Sequence, residues 1–214
     1  MIDAERRLVL TYTPTPEAGA AIAALLALDD KLAETLRTTS EPMLGQIRLQ
    51  WWADALARLD TAPPPPEPVL QGIARDVLIY GVAGAELAGI VDGWQLLLQT
   101  DLDAAALNEY GERGARMFVL AGRVAGADRG DPLALAGRGW ALSDLAGKLS
   151  DVAEAAAARA IAQTALSEAC AVRWSRNGRA LGAMAHLARM DLAGIAPGSP
   201  QRMLRALWHR MTGR

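Results

Sequence analysis

Between Glu17 and Arg37 the apolar residues Ile22, Leu25, Leu26, Leu28 and Leu32 recur at the spacing that places them along one side of an α-helix. Similar spacing returns along the rest of the chain, and strand-like alternation is nowhere evident. A sequence patterned in this way buries its apolar residues by packing helix against helix. Hydrophobic residues make up 51% of the chain but aromatics only 5%. The bulk is Ala, Leu, Gly and Arg, so the helices can approach closely through small side chains. The expectation is an all-α, single-domain helix bundle over residues 1–214, a length that one core can serve.

Prolines and caps punctuate the pattern. Pro14 and Pro16 break a short first helix, and Ser40-Glu41-Pro42 has the character of a new helix start. Ser40 can cap exposed amides, Glu41 suits the positive end of the helix dipole, and proline is tolerated in a first turn. That helix is expected to run to about Leu59, before Pro63-Pro64-Pro65-Pro66 makes an extended surface connection too short to divide the chain. Further helices are expected at about 69–80, 85–99, 104–125, 133–146, 150–172, 179–192 and 200–211.

A net charge of −2 gives no basic field of the kind nucleic-acid binders carry, so nucleic acid is not an expected partner. The single cysteine, Cys170, rules out an internal disulfide and a multi-cysteine metal site; its helical context reads as that of a small buried hydrophobe. The N-terminus mixes acids and bases with no apolar run behind them, which is not a secretory signal. The longest apolar run, Ala18 to Leu28, is roughly half of the ~20 residues a membrane span requires. The expected location is the cytoplasm. Gly122-Arg123-Val124-Ala125-Gly126 lies in a helical context without the strand a nucleotide fold needs, and His186, among small apolar residues, reads as a hydrogen-bonded packing residue.

Within the helix expected at 40–59, Leu44, Ile47, Trp51, Ala55 and Leu59 form one stripe, the expected buried face. Arg48, Trp52 and Leu56 stand beside it, with Asp54 and Arg58 as an exposed ion pair four residues apart. An arginine beside an apolar stripe must find an acid, a carbonyl or a phosphate. Arg48 and Trp52 are accordingly expected at or near a central cavity, with Arg48 paired to an acid such as Asp151 or Glu154. At the C-terminus, residues 200–214 place Met203, Leu204, Leu207, Trp208 and Met211 on one face and carry arginines without acids. A basic amphipathic helix of this kind suits either docking on its own domain or an anionic membrane surface, here the inner membrane.

The run from Ala21 through Asp29-Asp30-Lys31-Leu32-Ala33-Glu34, followed by Glu41-Pro42-Met43-Leu44-Gly45-Gln46-Ile47-Arg48-Leu49-Gln50-Trp51-Trp52, resembles the first third of a squalene/phytoene synthase. Pro68-Val69-Leu70, Ile90-Val91-Asp92-Gly93-Trp94 and Tyr110 are similar to the family's middle. The resemblance implies the isoprenoid synthase bundle, with a cavity that accepts prenyl diphosphates and a substrate side that includes Arg48, Trp52 and Tyr110. It also implies two acidic helix segments facing each other to hold Mg²⁺ against the diphosphate, here Asp29 and Asp30 in the first and Asp151 and Glu154 in the second.

Both segments depart from that pattern: Ala33 and Ala155 stand where closing carboxylates are expected. Mg²⁺ dehydrates reluctantly, so losing a ligand from each face weakens the site. The Gln46-Ile47-Arg48-Leu49-Gln50-Trp51-Trp52 helix beside an eroded acidic segment is similar to the phytoene-synthase-like assembly factors of respiratory complex I. That similarity implies a catalytically degenerate protein that binds an apolar ligand or assists a membrane-protein partner. A divergent Mg²⁺-dependent prenyltransferase, condensing prenyl diphosphates, is the other reading open at this point.

Overall fold

The structure is a computed structural model that describes residues 1, 3–99 and 101–214, and among the described residues it contains helices and no strand. The helices are α1 (Asp3–Leu10), α2 (Pro16–Arg37), α3 (Pro42–Arg58), α4 (Pro68–Asp76), α5 (Gly84–Gln95), α6 (Ala104–Ala125), α7 (Leu133–Ala146), α8 (Val152–Ala171), α9 (Arg179–Leu192) and α10 (Pro200–Thr212). The all-α expectation is met. The spans of α6, α7 and α9 agree with the sequence reading, whereas two others end early: short 3₁₀ turns at Leu78–Tyr80 and Leu96–Leu98 take over where α4 and α5 were expected to continue. No helix among the described residues is long and apolar enough to cross a membrane.

Local chemistry sets the helix ends. Thr15 caps α2 by accepting from the Ala18 amide at 3.2 Å, with Pro16 at the first position. Asp103 caps α6 in the same way, and Gly126 ends it at φ 65°, a left-handed conformation that glycine adopts without strain. The cap expected from Ser40 is not made: Glu41 holds that place for α3 and forms no side-chain cap bond.

One contiguous core extends from Val9 to Ala206, with α7 at its centre between α6, α8 and α9. Small residues allow these close crossings. A Cβ on Gly114 would lie 2.1 Å from the Gly137 carbonyl oxygen, and one on Gly137 would lie 2.1 Å from that of Gly114, so the α6 and α7 backbones touch. On its buried side α8 presents Ala158, Ala162, Ala165 and Ala169.

The buried face of α3 is corrected, and that of α10, open to two readings in the sequence, is now defined. In α3 the buried residues are Gly45, Leu49, Trp52, Ala55 and Leu56, while Leu44, Ile47 and Trp51 are exposed. The helix is rotated by about one residue's arc from the orientation its larger apolar side chains suggested, because Gly45 lets Leu98 approach within 2.9 Å of where a Cβ would sit. Asp54 pairs with Gln50, at 2.9 Å, rather than with Arg58. In α10 the buried residues are Arg202, Ala206 and His209, and the apolar stripe faces outward. Arg202 is buried against Glu5, Nε to Oε1 2.6 Å, and also reaches Asp191 at 2.7 Å. Enclosed charges require such partners, and a bidentate guanidinium–carboxylate geometry supplies them.

Beneath α10 the rings of His186 and His209 stand 4.8 Å apart, both buried. Arg205 Nη2 lies 2.8 Å from His186 Nε2, which fits a neutral ring accepting a hydrogen bond. Burial, reinforced by the Arg205 charge, lowers His186 to about 3 and His209 to about 4.

Two outcomes are expected. Gly114→Ala or Gly137→Ala should lower the unfolding free energy in a denaturant titration by about 1–3 kcal/mol, since the added carbon meets backbone that cannot swing away. Gly130→Ala, at an exposed site with nothing within 4 Å of the new carbon, should change it by less than about 0.5 kcal/mol. For the histidines, folded-state values below the ordinary 6.5 mean that the unfolded chain takes up protons first. Their contribution is therefore complete above pH 6.5 and declines as pH falls, to about 4 for His209 and to about 3 for His186. The melting temperature should drop across that window, and less steeply for His186→Gln; equal slopes for both proteins would contradict the assignment.

Candidate functional site

The ends of α2, α5, α6 and α7, together with the start of α8, enclose a cleft of about 1090 Å³. Its deep wall is apolar and aromatic, with Trp94, Leu102, Tyr110 and Leu145 buried, and Leu36, Leu97, Leu98 and Leu149 half-buried. Its charged residues are Asp30, Glu34, Arg37, Asp144, Lys148 and Glu154. The 3₁₀ turn that replaces the end of α5 is what presents Leu97 and Leu98 to this space.

Beside the deep wall lies a buried ion pair between α2 and α6. Arg113, with its side chain 1% exposed, donates to the Asp29 carboxylate and to the Tyr110 hydroxyl, the latter at 3.1 Å. Its guanidinium carbon is 4.3 Å from the centre of the Trp94 ring, 4.6 Å from that of Tyr110 and 5.8 Å from that of Trp140, an aromatic enclosure that favours a cation. Gly93 makes room for it, since a Cβ there would lie 2.5 Å from the Arg113 Cβ. Burial pushes the Asp29 carboxyl upward against the opposing charge of Arg113. The indole N–H of Trp94 is near enough to favour the carboxylate slightly without a well-formed hydrogen bond. Burial likewise pushes the Tyr110 hydroxyl up, so it stays protonated at neutral pH.

The acids named from sequence are dispersed. Asp30 is paired with Arg6 of α1. Asp151 caps α8, accepting from the amides of Ala153 and Glu154, both at 2.9 Å, and is not part of the cleft wall. Glu154 borders the cleft and accepts from the Leu102 amide at 2.7 Å. Asp29, Asp30 and Asp151 thus do not converge on one cavity, because α7 ends at Ala146 and Asp151 belongs to the turn before α8 rather than to a helix face. Other carboxylates at the cleft also have cationic neighbours: Glu34 with Lys31 at 2.8 Å and Asp144 with Lys148 at 2.6 Å. Ala33 is in the wall; Ala155 is not. Among the described residues no group of three or more His, Cys, Asp or Glu side chains is disposed to hold a metal ion.

The substrate-side residues also separate. Tyr110 lines the cleft, whereas Trp52 lies in the core, edge-on to Trp51 with ring centres 5.2 Å apart, and is not part of the cleft wall. Arg48 is exposed and among the described residues forms no ion pair with an acid; it donates to the hydroxyls of Thr38 and Thr39 and to the Thr35 carbonyl, at the C-terminal end of α2. The rotation of α3 explains this placement, and a cation there complements the negative end of the helix dipole. Arg113 was absent from the sequence reading. Its signal is an arginine amid the small and apolar residues Gly111, Gly114, Ala115, Met117 and Phe118, a position that requires a buried partner.

Comparison with protein-family models, with curated proteins and with solved structures gives no match for this chain.

Arg113→Ala should lower stability in denaturant unfolding by about 3–5 kcal/mol, because it strands a buried carboxylate. Asp30→Ala removes a partly exposed pair and should cost less than about 1 kcal/mol. Arg48→Ala should likewise cost about 1 kcal/mol or less, in keeping with its exposed position.

Proposed function

We propose that this chain is a squalene/phytoene synthase-like protein that has given up metal-dependent condensation and uses its cleft to bind an apolar ligand or an apolar segment of a membrane-protein partner during assembly. The observation that carries this reading is Arg113 on Asp29: the most buried carboxylate near the cleft is occupied by a guanidinium of the same chain, enclosed by aromatic rings. A divalent ion would have to displace a cation that is covalently part of α6, while Asp30, Glu34 and Asp144 are engaged by Arg6, Lys31 and Lys148.

The charge of the cleft supports a neutral, apolar occupant. Asp30, Glu34 and Asp144 are paired with Arg6, Lys31 and Lys148, and Glu154 accepts from the Leu102 amide, so the cleft presents no excess of positive charge to hold a diphosphate. The leucines, Trp94 and Tyr110 offer apolar surface of the kind that holds a hydrocarbon chain.

The test pairs turnover with binding. Farnesyl or geranylgeranyl diphosphate incubated with the protein and Mg²⁺ or Mn²⁺ should release no pyrophosphate at an enzymatic rate. Geranylgeraniol, which has no charged head, should bind with an affinity that Mg²⁺ leaves unchanged and that Leu98→Glu lowers at least about tenfold. Pyrophosphate release by the unaltered protein, abolished by Asp30→Ala, would instead establish a divergent Mg²⁺-dependent prenyltransferase.

A further inference from the structure

The outer surface of α10 is the reverse of what a helix docked on a globular core presents. Arg202 and His209 are fully buried while Arg205 is half-buried and Arg210 exposed, and Leu204, Leu207, Trp208 and Met211 are 67%, 46%, 56% and 68% exposed. These four lie at positions i, i+3, i+4 and i+7, one continuous apolar row along the helix.

A groove runs on each side of that row, and both are basic. One is bordered by Leu204 and Trp208 with Arg189 and Arg205, the other by Leu207 and Met211 with Arg176, Arg179 and Arg210. No acidic residue lines either groove. Among the described residues none of these five arginines forms an ion pair with a carboxylate, although Arg202 on the buried side of the same helix has two acidic partners. Arg179 donates to the Arg210 carbonyl at 2.6 Å, and the Arg210 guanidinium lies 4.9 Å from the Tyr12 ring centre, so parts of this surface are held in place by the fold.

We infer that this protein lies on an anionic membrane surface through α10, with the helix parallel to the bilayer plane. The apolar row enters the boundary between headgroups and acyl chains, Trp208 takes the interfacial position that suits an amphipathic ring, and the arginines on both sides meet lipid phosphates. Charge complementarity selects this occupant. The outward apolar stripe of α3, Met43, Leu44, Ile47 and Trp51, has a mixed border of Arg48 and Arg58 with Gln46, Gln50 and Asp54, whereas the grooves beside α10 are lined by arginines and no acid. The inference uses no residue of the cleft and holds whether or not the cleft binds an apolar ligand.

Vesicle flotation tests it, with the full chain and no added ligand. Vesicles of equal parts phosphatidylcholine and phosphatidylglycerol should retain the protein at least about tenfold better than phosphatidylcholine alone, with the difference shrinking as salt rises. Arg189→Gln/Arg210→Gln should remove most of the anionic preference, and Leu204→Ser/Trp208→Ser should weaken binding to anionic vesicles at least about tenfold. Unchanged circular dichroism melting in both variants separates loss of binding from loss of fold. No retention by anionic vesicles, equal retention by both compositions, or retention unaffected by either variant would overturn the inference. A dimer in sedimentation that Leu204→Ser dissolves, without vesicle binding, would assign this face to a second copy and overturn it as well.

Discussion

Asp29 and Arg113 meet where α2, α5, α6 and α7 come together, and the local structure is arranged around their contact. Gly93 of α5 clears the path of the arginine, Trp94 and Tyr110 enclose its guanidinium, and Trp140 of α7 approaches from the far side. Neither charge tolerates this degree of burial alone, so each fixes the other. The buried carboxylate beside the cleft is consequently neutralised by the chain itself. From that follows the reading of the cleft as a binding space for apolar groups, because the acid best protected from water is the one least free to take a metal ion.

A second arrangement of buried charge lies where α1, α9 and α10 meet. Arg202 reaches inward to Glu5 and Asp191, tying α10 to α1 and to the end of α9. With these polar groups satisfied inside, the apolar row of α10 is left facing outward beside arginines that, among the described residues, form no ion pair with a carboxylate. The two sites are a cleft with an apolar and aromatic wall beside charged residues, and an exposed amphipathic helix.

Much of the fold was legible because helical periodicity and capping chemistry are local. Pro16 and the Gly126 turn mark helix ends from neighbouring residues alone, and α6, α7 and α9 follow. The faces were less legible. In α3 two adjacent stripes are both apolar, and the choice between them falls to Gly45 and the Leu98 side chain that approaches it, which belongs to a distant segment. In α10 the apolar stripe was visible, but its direction depends on Glu5, far away in sequence. Among the candidate site residues, Asp29, Asp30, Glu154 and Tyr110 lie in or beside the cleft region, whereas Asp151 becomes a helix cap and Arg48 turns to the threonines at the end of α2. A cap and a metal ligand use the same carboxylate, and only the position of the helix start, which falls at Val152, distinguishes them. Arg113 left no periodic trace, because one arginine in an apolar stripe reads as an interruption until its partner across the bundle is known.

The dependence on Asp29 and Arg113 is tested most directly by a double-mutant cycle of Asp29→Ala, Arg113→Ala and the pair together, followed by denaturant unfolding. If the guanidinium is the resident cation of the Asp29 carboxylate, each single replacement strands a buried charge and the double replacement relieves it. A coupling energy of about 2 kcal/mol or more is the expected result. Additive losses, with a coupling below about 0.5 kcal/mol, would contradict the account, because Asp29 would then be free to serve a metal ion instead.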